Sequence, residues 1–163
     1  MGSLIALETS LRHPDKVSGL SLIGTAAAMT VGPDLLKAAE ANSPDAFDMV
    51  SIWGLGFAAE LGGSLAPGLW MHSGAQRVLQ QCRPGVLFND LAACNAYQNA
   101  LTAAAGIAVP TTIILGERDM MTPAKAGKAL AAAVPNARTV ILPGAGHMMM
   151  VERPDELLAA LKH

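Results

Sequence analysis

The feature that most constrains this chain is the alternation in its last third. A β-branched run at 109–116, Val-Pro-Thr-Thr-Ile-Ile-Leu-Gly, precedes a helical pattern at 123–134, a strand pattern at 138–142 and a second helical pattern at 154–161. Parallel strands need a crossover of a dozen or more residues, and the intervening helix supplies it. The spacing therefore predicts a βαβ unit with right-handed crossovers. Pro123 and Pro154 stand where the first helical turn tolerates a missing amide proton. Near the start of the chain, Leu4, Ile5, Leu7 and Leu11 repeat with helical spacing and Pro14 ends the run, which predicts a helix over 3–13. Residues 17–23, with Leu20, Leu22 and Ile23 around Ser21, read as a strand buried on both faces and closed by Gly24 and Thr25.

Between these parts, residues 30–105 show no strand rhythm. Helices are predicted at 34–42, 44–55, 74–81 and 89–105, separated by Gly and Pro at 32–33, 43–44, 62–68 and 84–85. The expected fold is α/β, with about three parallel strands, flanking helices and a helical insertion. Residues 1–29 and 106–163 would form the core, and 30–105 a cap or lid. Trp53, Phe57, Trp70, Phe88 and Tyr97 hold most of the aromatic content and suit either a lid over an apolar cavity or the insertion's own interior.

The composition, 52% hydrophobic against 15% charged, leaves much apolar surface to bury. Eleven basic against thirteen acidic residues, with no Lys or Arg run, provide no field for a phosphate backbone, so no nucleic-acid partner is expected. Gly, Pro or charge breaks each apolar stretch short of the roughly 18 residues of a membrane span, and no basic region precedes an apolar one at the N-terminus. No membrane association and a cytoplasmic location are the expectations. Cys82 and Cys94 lack metal or redox spacing and read as small buried hydrophobes. No His, Asp, Glu or Cys set has metal-ligand spacing, and Gly62-Gly63 lacks the following Lys of a phosphate loop, so neither metal nor cofactor is expected.

The chemistry concentrates on two loops. Asp119 follows the strand at 109–116 and His147 follows the strand at 138–142. Ligands and catalytic groups gather at the C-terminal ends of strands in an open α/β sheet, so the two residues can converge. A serine hydroxyl needs a neutral imidazole to take its proton, and a carboxylate must orient that imidazole and stabilise its cation. The residues alone are equally open to a plainer reading, in which Asp119 caps a turn and His147 is an ordinary loop histidine.

Gly116-Glu117-Arg118-Asp119, Pro123, Val134-Pro135-Asn136-Ala137, Gly144-Ala145-Gly146-His147 and Glu152-Arg153-Pro154 together resemble the C-terminal part of the α/β-hydrolase family. Met1-Gly2 resembles the last two positions of the family's Gly-x-Ser-x-Gly nucleophile elbow. The resemblance implies that Asp119 and His147 are the triad acid and histidine, in the family's order after a serine that would lie just before Met1. It implies also that Met1 stands at the residue whose amide lines the oxyanion hole. The 163 residues contain no Gly-x-Ser-x-Gly, and Ser21, Ser64, Ser73, Cys82 and Cys94 all lack an elbow. The expectation is thus the C-terminal portion of a serine hydrolase for a small apolar ester or lactone, inactive by itself, with Trp53, Trp70, His72 and Met148 as pocket residues. Two alternatives stand beside it: a non-catalytic oligomeric or ligand-binding protein, and an enzyme using Asp119 and His147 as an acid–base pair. Self-association through an exposed strand edge at 17–23, or association with an N-terminal fragment, is expected in addition.

Overall fold

The computed structural model describes residues 1–63, 65 and 68–162. Three strands, β1 (Leu20–Ile23), β2 (Thr111–Gly116) and β3 (Arg138–Leu142), form one parallel sheet in the order β1-β2-β3. Leu22 is in register with Ile113, and Ile114 with Val140. All six residues of β2 are buried, as a central strand covered on both faces requires. Its side chains alternate between two cores. Ile113 and Leu115 join Leu4, Leu7, Leu20, Leu22 and Leu130 on one face, and Ile114 joins Leu142, Met149 and Leu157 on the other.

Helices supply both covering layers. The first face receives α1 (Gly2–Arg12) and, later in the chain, a short helix at Ala100–Ala105 and another at Ala124–Ala131. The second is covered by helices at Met149–Glu152 and Pro154–Leu161. The helix at 124–131 lies close on β2 because Gly127 has no side chain. A Cβ there would run into Leu115 and come within 2.9 Å of the Thr25 carbonyl.

The first strand differs from expectation. It is four residues long, not seven, because Pro14–Lys16 folds into a 3₁₀ turn and the chain becomes extended in the sheet only where the Leu20 amide reaches the Pro110 carbonyl at 2.9 Å. Nor is it buried on both faces: Leu20 and Leu22 are buried while Ser21 is exposed. β2 likewise starts at Thr111, since Pro110 contributes only its carbonyl.

Between β1 and β2 run α2 (Pro33–Glu40), α3 (Pro44–Gly54), α4 (Phe57–Glu60), α5 (Met71–Gln80), α6 (Val86–Ala96) and α7 (Ala100–Ala105); the helices after β2 are α8 (Ala124–Ala131), α9 (Met149–Glu152) and α10 (Pro154–Leu161). Ser43 caps α3 by accepting the Asp45 amide proton. Leu35, Ala39, Ala46 and Val50 form a separate small core with Leu87, Phe88 and Leu91 packed against it. The single helix expected over 89–105 is two helices. The break at 97–99 is held by Glu8 of α1, whose Oε1 accepts both the Tyr97 hydroxyl and the Asn99 amide at 2.7 Å. Beyond the break, Ala100, Ala103 and Ala104 pack in the sheet core. No helix among the described residues is long and apolar enough to cross a membrane.

Candidate active site

The loops after β2 and β3 are bound edge to edge. The Arg118 amide donates to the Ala145 carbonyl at 2.8 Å, and the Gly144 amide to Glu117 Oε2 at 2.9 Å. Gly116 makes this approach possible, because a Cβ there would overlap the carbonyls of Ala145 and Gly146.

Asp119 sits at this seam with its side chain fully buried. Its Oδ1 accepts the amides of Met121 at 2.8 Å and Thr122 at 2.7 Å, a turn closed by the aspartate's own carboxylate. Its Oδ2 accepts the Thr122 hydroxyl at 2.7 Å and faces His147 Nδ1 at 2.8 Å. Burial by itself would raise the Asp119 pKa, but the His147 hydrogen bond and charge, with the Thr122 bonds, outweigh it and hold the carboxyl below its ordinary value. The group is an anion wired to an imidazole. With the Nδ1 proton directed at Asp119, Nε2 of His147 keeps its lone pair, on a side chain that is 30% exposed.

Three further features seat the imidazole. Thr122 Oγ1 lies 3.2 Å from Nδ1, so the hydroxyl bridges the acid and the ring. Gly24, at φ +57°, lies against the ring: a Cβ there would stand 2.9 Å from Cε1 and 3.0 Å from Nδ1. The backbone amides of His147 and Met148 both donate to the Gly54 carbonyl at 2.9 Å, which ties the histidine loop to the end of α3.

A cavity of about 250 Å³ opens beside the pair, with Met1, Val31, Leu35, Trp53, Met121 and His147 in its walls. Of the residues singled out in the sequence, the structure thus brings Asp119, His147, Met1 and Trp53 to one place. Met1 precedes α1, where its carbonyl accepts the amides of Leu4 and Ile5. Trp70 and His72 lie outside this cavity at the start of α5, with Trp70 largely exposed, and Met148 packs instead with Leu55, Ala59 and Met71. Cys94 is buried and lines the cavity, whereas Cys82, expected to be buried, is exposed in the turn that ends α5. Ser21 and Ser73 are exposed; Ser64 and His163 lie outside the described residues. The roles of Thr122, Gly24 and Gly54 went unnoticed in the sequence. Only Thr122 left a trace there, as a hydroxyl three residues after the acid in a turn-forming stretch.

The chain is similar in sequence and fold to known hydrolases. The chain is 28% identical over 171 residues to a pimeloyl-[acyl-carrier protein] methyl ester esterase of Neisseria meningitidis serogroup A, an alignment covering 98% of this chain and 53% of that protein. The corresponding esterase of Aromatoleum aromaticum is 26% identical, with 96% and 67% covered. The chain therefore spans about half to two thirds of the length of these relatives. Among solved structures, a thermophilic esterase superposes with a TM-score of 0.80 at 28% identity, covering 98% of this chain and 60% of that one. The enol-lactonase of Burkholderia xenovorans shares the fold, with a TM-score of 0.84 at 23% identity and 100% and 63% covered. The sequence profile described as "Alpha/beta hydrolase family" matches residues 1–161, and this chain belongs to that family.

Proposed function

We propose that these residues form the acid–histidine half of an ester-hydrolysing site, with Asp119 as the orienting acid, His147 as the base and the cavity beside them holding a small apolar ester or lactone. The observation carrying this reading is the 2.8 Å bond from His147 Nδ1 to a buried carboxylate, on a ring that walls the cavity. In this scheme a serine hydroxyl gives its proton to Nε2 as its oxygen attacks the ester carbonyl, and Asp119 stabilises the imidazolium. The imidazolium then returns that proton to the departing alkoxide, and water repeats the cycle on the acyl-serine. No elbow serine occurs within the 163 residues, so turnover requires a nucleophile held outside them. In the same reading Met1 stands at the oxyanion position, where its nitrogen becomes an amide donor only when a residue is joined before it, and the helical segment 30–105 acts as the cap that shapes the substrate cavity.

The test compares the 163-residue chain alone with the same chain joined to a strand ending in Gly-x-Ser. A short-chain p-nitrophenyl ester and a small lactone serve as substrates. The chain alone is expected to match the blank, and the joined protein to turn over. Asp119→Asn should lower that turnover on the order of 10⁴-fold by presenting the wrong imidazole tautomer. Turnover by the chain alone would overturn the need for an outside nucleophile, in favour of Asp119 and His147 as an acid–base pair if His147→Ala abolishes it, and would overturn the acid–histidine reading itself if it survives His147→Ala. The second reading, apolar-ligand binding without chemistry, draws on the same cavity and would be favoured by a joined protein that binds the ester and leaves it intact. The free edge of β1 adds a docking role, in self-association or with a segment carrying the serine.

A further inference from the structure

Glu152 is a buried acidic residue that the chemistry above leaves unused. It is 3% exposed, and its Oε2 accepts two backbone amides, Gly56 and Gly146, each at 2.9 Å. Gly56 lies in the connector between α3 and α4, and Gly146 immediately precedes His147. The last residue of α3, just before that connector, supplies the Gly54 carbonyl that takes the amides of His147 and Met148. Residues 54–56 and 146–148 are therefore joined twice, through a carbonyl at one end and through the Glu152 side chain at the other.

Neither glycine leaves room for an alternative. A Cβ on Gly56 would stand 2.8 Å from the Gly144 carbonyl oxygen and 2.9 Å from Glu152 Oε2, and one on Gly146 would overlap the Gly56 amide. The second oxygen, Oε1, is buried with no hydrogen-bond partner among the described residues. A buried polar atom without a partner is costly. What the side chain gains there is the pair of amides, which no apolar residue could satisfy.

We propose that Glu152 is a positioning residue that locks the backbone of His147 to the α3–α4 connector and so holds the imidazole on Asp119. The connector follows α3, whose penultimate residue, Trp53, walls the cavity. The functional consequence rests on His147 acting as the base. The clamp itself does not, and its test involves no turnover.

The test is amide hydrogen exchange and ring-proton NMR on the 163-residue chain. In Glu152→Ala, exchange at Gly56, Gly146 and His147 should rise by about tenfold or more while the amides of β2 stay protected, the pattern of a local rather than a global opening. The His147 Nδ1 proton should broaden or vanish. Glu152→Gln, which keeps an oxygen able to accept both amides, should restore it. If the alanine variant fails to fold, Glu152→Asp carries the same expectation, because a carboxylate withdrawn by one methylene cannot reach both amides. A folded Ala or Asp variant with those three amides and the ring proton unchanged overturns the proposal. Uniform acceleration across β2 as well would mark Glu152 as a general stabiliser and overturn it too.

Discussion

At Gly24 the backbone and the imidazole compete for one volume. The residue takes φ +57°, a conformation that costs an L side chain roughly 1–2 kcal/mol, and its absent Cβ is the space that His147 fills. Gly24→Ala should therefore do two things at once. It should lower the free energy of unfolding in urea by about that backbone cost, and it should displace the ring so that the Nδ1 proton loses its bond to Asp119. A variant of unchanged stability with the ring proton intact would show that the loop yields instead. Asp119 and His147 were legible in the sequence as an acid and an imidazole on loops after strands, through the motifs around them more than through the two residues alone. Gly24 was not, because its contribution is empty space beside a residue far along the chain. Glu152 was visible within Glu152-Arg153-Pro154, but its burial against two amides comes from tertiary packing and leaves no local mark.

Elements bounded by strong local signals kept their expected limits. β3 at Arg138–Leu142 and α10 at Pro154–Leu161 coincide with the expected segments, the latter because a proline opens it. The four-residue helices α4 and α9 are too short to show a period, and the break between α6 and α7 is drawn by Glu8 from another helix. β1 was the element most overextended, since apolar composition does not say where pairing begins. The amides of Leu20 and Gly24 point toward β2, so the alternation of a parallel ladder turns the backbone groups of Ser21 and Ile23 the other way. This is the short edge on which the docking role rests. Sedimentation velocity over a concentration series should reveal association of the chain, and Ser21→Lys should shift it toward monomer by placing a charge beside the seam. A wild-type monomer at all concentrations, or association indifferent to Ser21→Lys, removes the edge from the account.

Two carboxylates hold distant parts of the molecule together, and both titrate below their ordinary range. Glu8 is drawn down to about 2 from 4.5 by hydrogen bonds from Asn99 first, then Tyr97 and Arg12, and it ties α1 to the break between α6 and α7. Asp119 ties the loop after β2 to the loop after β3; there burial pushes upward and the His147 and Thr122 bonds overcome it. A carboxylate whose pKa is lower folded than unfolded stabilises the fold above its unfolded value, and the contribution disappears as acid protonates it through the folded value. Thermal midpoints should therefore stay level where both groups are ionised in either state and fall as pH drops below about 4.5 toward about 2. Glu8→Gln and Asp119→Asn should each start from a lower midpoint and show a shallower acid fall, because each deletes one titration from the sum. Asp119 makes the sign informative. Were burial the dominant influence on that carboxyl, protonation would relieve a buried charge, and Asp119→Asn would steepen the acid fall. A shallower fall instead means that the bonds to His147 and Thr122 outweigh the cost of burying the charge, the condition under which Asp119 stays an anion and keeps the imidazole oriented.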